Sequence, residues 1–263
     1  YKDKYPNKEI SLATAIAYTD NIYAVKTHLF LGSEVLVDMM KRVGVKEQLD
    51  AIPSLALGSQ PISLLEMTNA YAILASEGHK VEPHFIKRVE DINGNVLYEY
   101  KSSNETVLNK SITYILNEML ANTSNPNYID YTYPTSYVIA SKLTKKYAIK
   151  TGTTDYDHLV FGYNKDVVVG IWSGYDDNKE LESDDPINTK YAWADIIETY
   201  LKDKEDNWYT MPNNVVGVLV NPQTGKLANK DDKKSVIQYY LKGTEPSNNY
   251  NLDDAIPTIK YEE

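Results

Sequence analysis

The residue types and spacing of Lys150, Thr151, Gly152 and Thr153 suit the binding of a carboxylate. The lysine supplies a positive charge, and two threonines two residues apart on a strand place their hydroxyl donors on one face. Gly152 has no Cβ, so the backbone of an extended ligand can approach the strand and pair with it. The same tetrapeptide also fits an ordinary strand end with a solvated lysine, and by itself it leaves both interpretations open.

A hydroxyl and an amide separated by one residue, Thr19 and Asn21, interrupt an apolar helical pattern that runs from Ser11 to Leu29. At a junction between two helices, such a pair can point into a cleft together. Asp and Asn are also common helix caps and turn residues. On its own, the triplet from Thr19 to Asn21 therefore favours a helix cap or turn over a functional site.

Hydrophobic periodicity predicts the elements that position these residues. Helices are expected on both sides of residue 20 and over Ser33 to Val43, Ser63 to Ser76, Lys110 to Ala121 and Tyr191 to Leu201. Strands are expected at Lys146 to Ile149, Leu159 to Tyr163, Val167 to Ser173 and Val215 to Val220, with a hairpin from Val81 to Tyr100 around Asn93-Gly94. The apolar run from Val167 to Ile171 indicates a central strand that is covered on both faces. An antiparallel sheet flanked by helices from both ends of the chain is an α+β architecture.

The stretch from Asn122 to Ser136 lacks periodicity and is predicted to be a long loop. Long ordered loops usually border functional sites, and this one leads to the strand of Lys150. Four tyrosines lie in it or directly after it, and they either line a substrate groove or pack the loop onto the domain: Tyr128, Tyr131, Tyr133 and Tyr137.

Composition narrows the class of protein. The 263 residues, 42% of them hydrophobic, suffice for one large domain or a domain with an appendage. A formal charge of −10 argues against a nucleic-acid partner, which requires a basic patch. The absence of cysteine excludes disulfides and cysteine–zinc sites. The four histidines show no ligand spacing, so no metal and no other cofactor is predicted.

A shift in composition after Lys202 divides the chain into residues 1–204 and an extension, residues 205–263, with a loosely held end from Ser247 to Glu263.

Together and in this order, the two polar motifs resemble the active-site signatures of penicillin-binding proteins, the serine acyl-transferases that cross-link peptidoglycan. The resemblance extends over most of residues 11–201. It is carried by residues 11–21 (SLATAIAYTDN), 56–59 (ALGS), 62–67 (ISLLEM), 69–72 (NAYA), 149–154 (IKTGTT), 161–163 (FGY), 169–172 (VGIW) and 174–178 (GYDDN). The chain most resembles the transpeptidase half of the class A, bifunctional proteins of Gram-positive bacteria, and residues 213–246 resemble the tail that follows it.

The resemblance implies a fold like that of penicillin-binding transpeptidases and serine β-lactamases, and an acyl-enzyme reaction on the D-alanyl-D-alanine end of stem peptides. Asn21 would bind the substrate amide and orient a lysine, and Thr19 would relay a proton to the leaving amine. Lys150 would set the local potential, while Thr151 and Thr153 hold the terminal carboxylate. The Thr153 N–H would be one of two oxyanion donors.

The sequence departs from the family pattern at two positions. The family's second motif normally opens with serine, where this chain has Thr19, whose extra methyl restricts its rotamers. The family's nucleophile lies in a Ser-x-x-Lys motif, and no serine in these 263 residues has a lysine three residues later. We therefore expect the fold to be incomplete at its N-terminus, with the nucleophile on a preceding segment, and we expect these 263 residues alone to be inactive.

The resemblance also implies partners and a location. The partners would be stem peptides, the lipid-linked precursor, β-lactams as covalent inhibitors, and the N-terminal part of the same protein. The full-length protein would carry a glycosyltransferase domain and a membrane anchor outside these residues, and would act at the extracytoplasmic face of the bacterial membrane. A D,D-carboxypeptidase and a non-catalytic scaffold or sensor module remain alternatives. A β-lactamase is disfavoured, because no motif for a deacylating glutamate is evident.

Overall fold

The computed structural model describes residues 8–103, 105–181, 186–229 and 232–247. Apart from Ser247, the predicted loosely held end lies outside the described residues. None of the helices in the described segments has the length and apolarity that a bilayer crossing needs. The architecture is α+β, as predicted, with three antiparallel sheets and six α-helices among these residues.

Four helices lie between Leu12 and Ala75, and the predicted breaks between them are confirmed. They are α1 (Leu12–Tyr18), α2 (Asn21–Leu31), α3 (Ser33–Arg42) and α4 (Leu64–Ala75). Ser63 caps α4 by accepting a hydrogen bond from the N–H of Glu66 at 3.2 Å. Helices α3 and α4 share a core that includes Val37 and Ile73.

A three-stranded antiparallel sheet lies at the centre of the molecule, in the order β3 (Ala148–Thr153), β4 (Asp157–Tyr163) and β5 (Val168–Gly174). Helix α5 (Lys110–Ala121) precedes it and α6 (Ile187–Tyr200) follows it. The close packing of α6 depends on Gly162, because a Cβ there would lie 2.2 Å from the indole of Trp193.

The position of β5 corrects one prediction. Its apolar run indicated a central strand, but the central strand is β4, and β5 lies at an edge of the sheet that the described residues form. The run reflects coverage of both faces: Thr68 of α4 lies close to Gly170, and Trp193 of α6 donates a hydrogen bond to the Val169 carbonyl at 3.1 Å. Periodicity reports which faces are buried and not how many neighbours a strand has.

Two hairpins lie outside the central sheet. The first, β1 (Arg88–Glu90) with β2 (Val96–Glu99), has the predicted turn at Gly94 but is shorter than the predicted span. The second pairs β6 (Val215–Val220) with β7 (Val236–Leu241). Strand β6 was predicted, whereas β7 was not. The boundary between residues 204 and 205 stays a prediction.

The stretch from Asn122 to Ser136 is more ordered than predicted. It contains two 3-10 turns, Asn122–Ser124 and Pro126–Tyr128. The Thr123 hydroxyl, which is fully buried, donates to the Ile149 carbonyl of β3 at 3.1 Å. These turns provide hydrogen-bond partners for backbone N–H and C=O groups that a buried irregular segment would otherwise leave unpaired.

Candidate active site

The corner between α1 and α2 presents Thr19 and Asn21, while the residue between them supplies the helix cap. Asp20 accepts the N–H of Tyr23 through its carboxylate at 2.8 Å, which satisfies the N-terminus of α2. The capping role therefore falls on Asp20. No described residue makes a hydrogen bond with the Asn21 side-chain amide, so this amide is available for a ligand.

Thr19 has an unusual backbone conformation. Its φ is 54° and its ψ is 54°, in the left-handed region, and its own N–H and that of Asp20 close the end of α1 on the carbonyls of Ile16 and Ala15. A β-branched residue in this region is an outlier that costs about 1–3 kcal/mol, and such outliers cluster at functional sites. The surrounding packing holds the Thr19 hydroxyl in place at this cost.

Lys150 connects the two motifs. Its Nζ donates to the Thr19 hydroxyl at 2.8 Å and to the Thr151 carbonyl at 2.8 Å. The two motifs are 131 residues apart in sequence and meet at this hydrogen bond. The ammonium group of one motif is therefore fixed beside the hydroxyl of the other.

The charge state of Lys150 is perturbed. Burial lowers its pKa from 10.5 to about 8, with a smaller contribution in the same direction from the positive charge of Lys190 on α6. Lys150 is therefore charged below about pH 8 and neutral above it. A lysine with a depressed pKa that contacts a hydroxyl is a candidate for proton transfer.

We expect Lys190→Gln to raise the pKa of Lys150, because the substitution removes a like charge. The measurement is the pH dependence of the reaction of Lys150 with an amine-selective reagent, followed by peptide mass spectrometry. Lys142→Gln is the matched control, because the Lys142 ammonium pairs with Asp195 at 2.7 Å. An unchanged Lys150 titration in Lys190→Gln would contradict the electrostatic link.

The open edge of β3 carries the other predicted residues. The Ile149 carbonyl points away from β4, since it accepts from Thr123. Backbone groups of an antiparallel strand alternate in direction, so those of Thr151 and Thr153 also point to the open edge. Beyond Ile149, no described strand pairs with this edge. An extended ligand can therefore add there as a fourth strand.

The three ligand-binding candidates differ in exposure. Thr151 is buried, Gly152 is partly buried and Thr153 is exposed at the strand end. A Cβ at Gly152 would lie 3.4 Å from the Leu159 Cβ, so the fold itself nearly tolerates a side chain there. Packing within the described residues therefore does not by itself require glycine at this position.

Two of the four tyrosines pack the loop onto the domain, and the other two line a groove; that this groove takes the substrate stays a prediction. Tyr128 is fully buried, and Tyr131 packs edge-on against Tyr18. Tyr133 and Tyr137 stack with ring centroids 5.5 Å apart. Both line a groove of about 930 Å³ that Lys190 also borders. The loop therefore packs with its first two tyrosines and exposes the last two.

Two features of the site were not predicted from the sequence. Lys190 is one of many helical lysines, and no local pattern marks its effect on Lys150. The contacts of Tyr18 with the turn after β6 were also not predicted, because they join residues from opposite ends of the chain. Neither feature has a sequence signal in a single chain.

Comparison with known proteins identifies the family of the chain. Residues 1–183 match the model of the penicillin binding protein transpeptidase domain. The chain belongs to this family. Residues 211–251 match the C-terminal domain of penicillin-binding protein 1A, in agreement with the class A resemblance.

Relatives and solved structures extend the comparison. Penicillin-binding protein 2D of Bacillus subtilis is 41% identical over 249 residues, which cover 94% of this chain and 36% of that protein. Penicillin-binding protein 1A of Aquifex aeolicus is 32% identical, with 92% and 33% covered. The crystal structure of penicillin-binding protein 1A from Haemophilus influenzae has the same fold, with a TM-score of 0.80 at 24% identity, over 92% of this chain and 41% of that one. The chain spans about a third of the length of the curated relatives it matches.

Proposed function

We propose that this penicillin-binding protein chain supplies the substrate cradle and the proton relay of a serine D,D-transpeptidase that cross-links peptidoglycan. The observation that carries the proposal is the 2.8 Å hydrogen bond from the Lys150 ammonium to the Thr19 hydroxyl, because it joins the two motifs of the family. The nucleophilic serine and its lysine would lie outside these 263 residues.

The acyl donor would be the D-alanyl-D-alanine end of a stem peptide. In this proposal it adds to the open edge of β3, with its terminal carboxylate on the Thr153 hydroxyl and near the Lys150 charge. The outward N–H of Thr153 would donate a hydrogen bond to the oxyanion. Asn21 would bind the peptide amide.

The reaction would then proceed in two steps. The serine oxygen attacks the penultimate carbonyl carbon, the peptide bond breaks, and the terminal D-alanine leaves with a proton relayed by Thr19. An amine on a neighbouring peptidoglycan strand then attacks the ester carbonyl, so that a new peptide bond forms and the serine regains its proton. Lys150 carries a positive charge near the relay below about pH 8, which favours the anionic substrate.

Covalent labelling of the full-length protein by a fluorescent penicillin tests the proposal. We expect one label per protein, on a serine of a Ser-x-x-Lys motif, and competition by an unlabelled β-lactam. PonA1 from Mycobacterium tuberculosis, whose fold is similar with a TM-score of 0.63, has been crystallised in complex with penicillin V. A folded full-length protein without labelling would support a non-catalytic module.

A second measurement separates the acyl acceptors. A stem-peptide donor is incubated with and without an amine acceptor, and the products are separated by mass. Cross-linked dimer is the expected product, whereas release of D-alanine with water as the only acyl acceptor would identify a D,D-carboxypeptidase.

The same full-length protein is proposed to carry a glycosyltransferase domain that uses the lipid-linked precursor and to lie at the extracytoplasmic face of the membrane.

The division at residues 204 and 205 belongs to the same proposal. Residues 1–204 would be the C-terminal part of the transpeptidase domain, and residues 205–263 an extension. The two family matches, to residues 1–183 and 211–251, support a boundary in this region.

A further inference from the structure

The turn after β6, residues 221–225, is hydrogen-bonded to the start of helix α1. The Pro222 carbonyl accepts the Ser11 hydroxyl at 2.6 Å and the Thr14 hydroxyl at 2.7 Å, and the Ser11 N–H donates to the Gln223 carbonyl at 2.7 Å. A Cβ at Gly225 would lie 3.2 Å from Ser11, so the approach is close. The start of α1 is therefore bound to a turn more than 200 residues later in the chain.

The same turn reaches the last residue of α1. Gln223 donates through Nε2 to the Tyr18 hydroxyl at 3.0 Å and to the Tyr128 carbonyl at 3.2 Å, and the Tyr18 hydroxyl also donates to the Tyr128 carbonyl. Tyr18 is 6% exposed and Tyr128 is fully buried. The Tyr18 ring is thus fixed by hydrogen bonds at its far end and by buried contacts along its length.

Tyr18 immediately precedes Thr19, the residue in the left-handed conformation. A strained conformation persists only where the surrounding structure over-determines it. On one side, Thr19 is bound through the Lys150 ammonium at 2.8 Å. On the other side, the constraint is the fixed Tyr18, whose polar partners come from the turn at Gln223 and from Tyr128.

We propose that the 221–225 turn is a positioning element for Thr19, acting through Thr14 and Tyr18. The inference rests on the proposed function, since it concerns the same proton relay. The C-terminal hairpin then orients the relay from a distance and is not only a structural appendage. Gln223 and Thr14 are positioning residues because neither contacts Thr19 or the edge of β3.

Thr14→Val and Gln223→Met test this in the full-length protein. Each keeps the approximate volume of the side chain. Thr14→Val removes the hydrogen bond to the Pro222 carbonyl, and Gln223→Met removes those to Tyr18 and Tyr128. We expect the first-order acylation rate constant for a penicillin to fall about 3- to 10-fold, as a lost hydrogen bond would produce, with affinity for the penicillin unchanged. An unchanged rate constant in both variants would overturn the proposal.

A control separates positioning from stability. Ile73→Val removes a methyl from the core of α3 and α4, which contains none of the site residues. It should lower the melting temperature without changing the acylation rate constant. If Ile73→Val slows acylation as much as the turn variants do at equal loss of stability, the effect is general and positioning is wrong.

A double variant locates the effect. In the Thr19→Val background, Gln223→Met should cause no further loss of acylation rate, because the relay it positions is already absent. Additive losses would place its action elsewhere. A full-length parent that no penicillin acylates would refute the proposed function instead. In that case the backbone NMR shifts of Thr19 in Gln223→Met still test positioning, since they change only if the turn holds this residue.

Discussion

Replacement of Thr19 by valine should lower the acylation rate of the full-length protein by about 10²- to 10⁴-fold, the range of a lost proton-transfer group. Valine keeps the branched shape in the same left-handed conformation and removes the hydroxyl that accepts from Lys150. Thr19→Ser keeps the hydroxyl, relieves the rotamer restriction, and should preserve or raise the rate. The measurement is the acylation rate by stopped-flow with a chromogenic β-lactam.

Thr27→Val is the control for a threonine-to-valine change on the neighbouring helix α2, and it should leave the rate unchanged. Equal rates for Thr19→Val and the parent would show that Thr19 is structural. The 2.8 Å contact with Lys150 would then serve only to satisfy the buried ammonium.

Replacement of Thr153 by valine should weaken reactivity toward substrates with a free carboxylate by roughly 1.5–3 kcal/mol, the range of a hydrogen bond to a charged group. Toward the esterified analogue the loss should be much smaller, since that bond is weaker without the charge. Folding should survive, because valine has the shape and β propensity of threonine. The measurement is the ratio of acylation rates for the acid and the ester in the parent and the variant.

Gly152→Ala is the matched comparison on the same strand. The added Cβ would meet Leu159 at 3.4 Å, which the strand can accommodate, but it would obstruct a ligand backbone at the open edge. Acid and ester should therefore lose reactivity equally in this variant. An equal loss for acid and ester in Thr153→Val would instead indicate a displaced strand, and the carboxylate assignment would be wrong.

The elements of the fold followed from local sequence where one physical signal dominated. The bounds of α5 (Lys110–Ala121) and β6 (Val215–Val220) agree with prediction residue for residue, because a clear apolar period and strong end signals coincide there. Prediction was wrong for the place of β5 in the sheet and missed β7. Both depend on pairing between distant segments, which periodicity does not encode.

The residues of the candidate site were also identifiable in sequence, because two short motifs carried the family resemblance. The sequence alone determined the residue types at positions 19, 21 and 150–153, the division into helices and strands around them, and the class of ligand they suit. Those properties are local, since they depend on side-chain chemistry and on spacings of one to four residues.

Only the tertiary structure decided how these residues act together. It brought Lys150 to within 2.8 Å of Thr19, placed Thr19 in a left-handed conformation, and set the Lys190 charge where it lowers the pKa of Lys150. It also bound the turn at Pro222 to α1. Each of these depends on segments far apart in the chain that meet through burial of a shared core. The contact distances and local dielectric at such meeting points set electrostatics and strain, and neither is a property of any single segment.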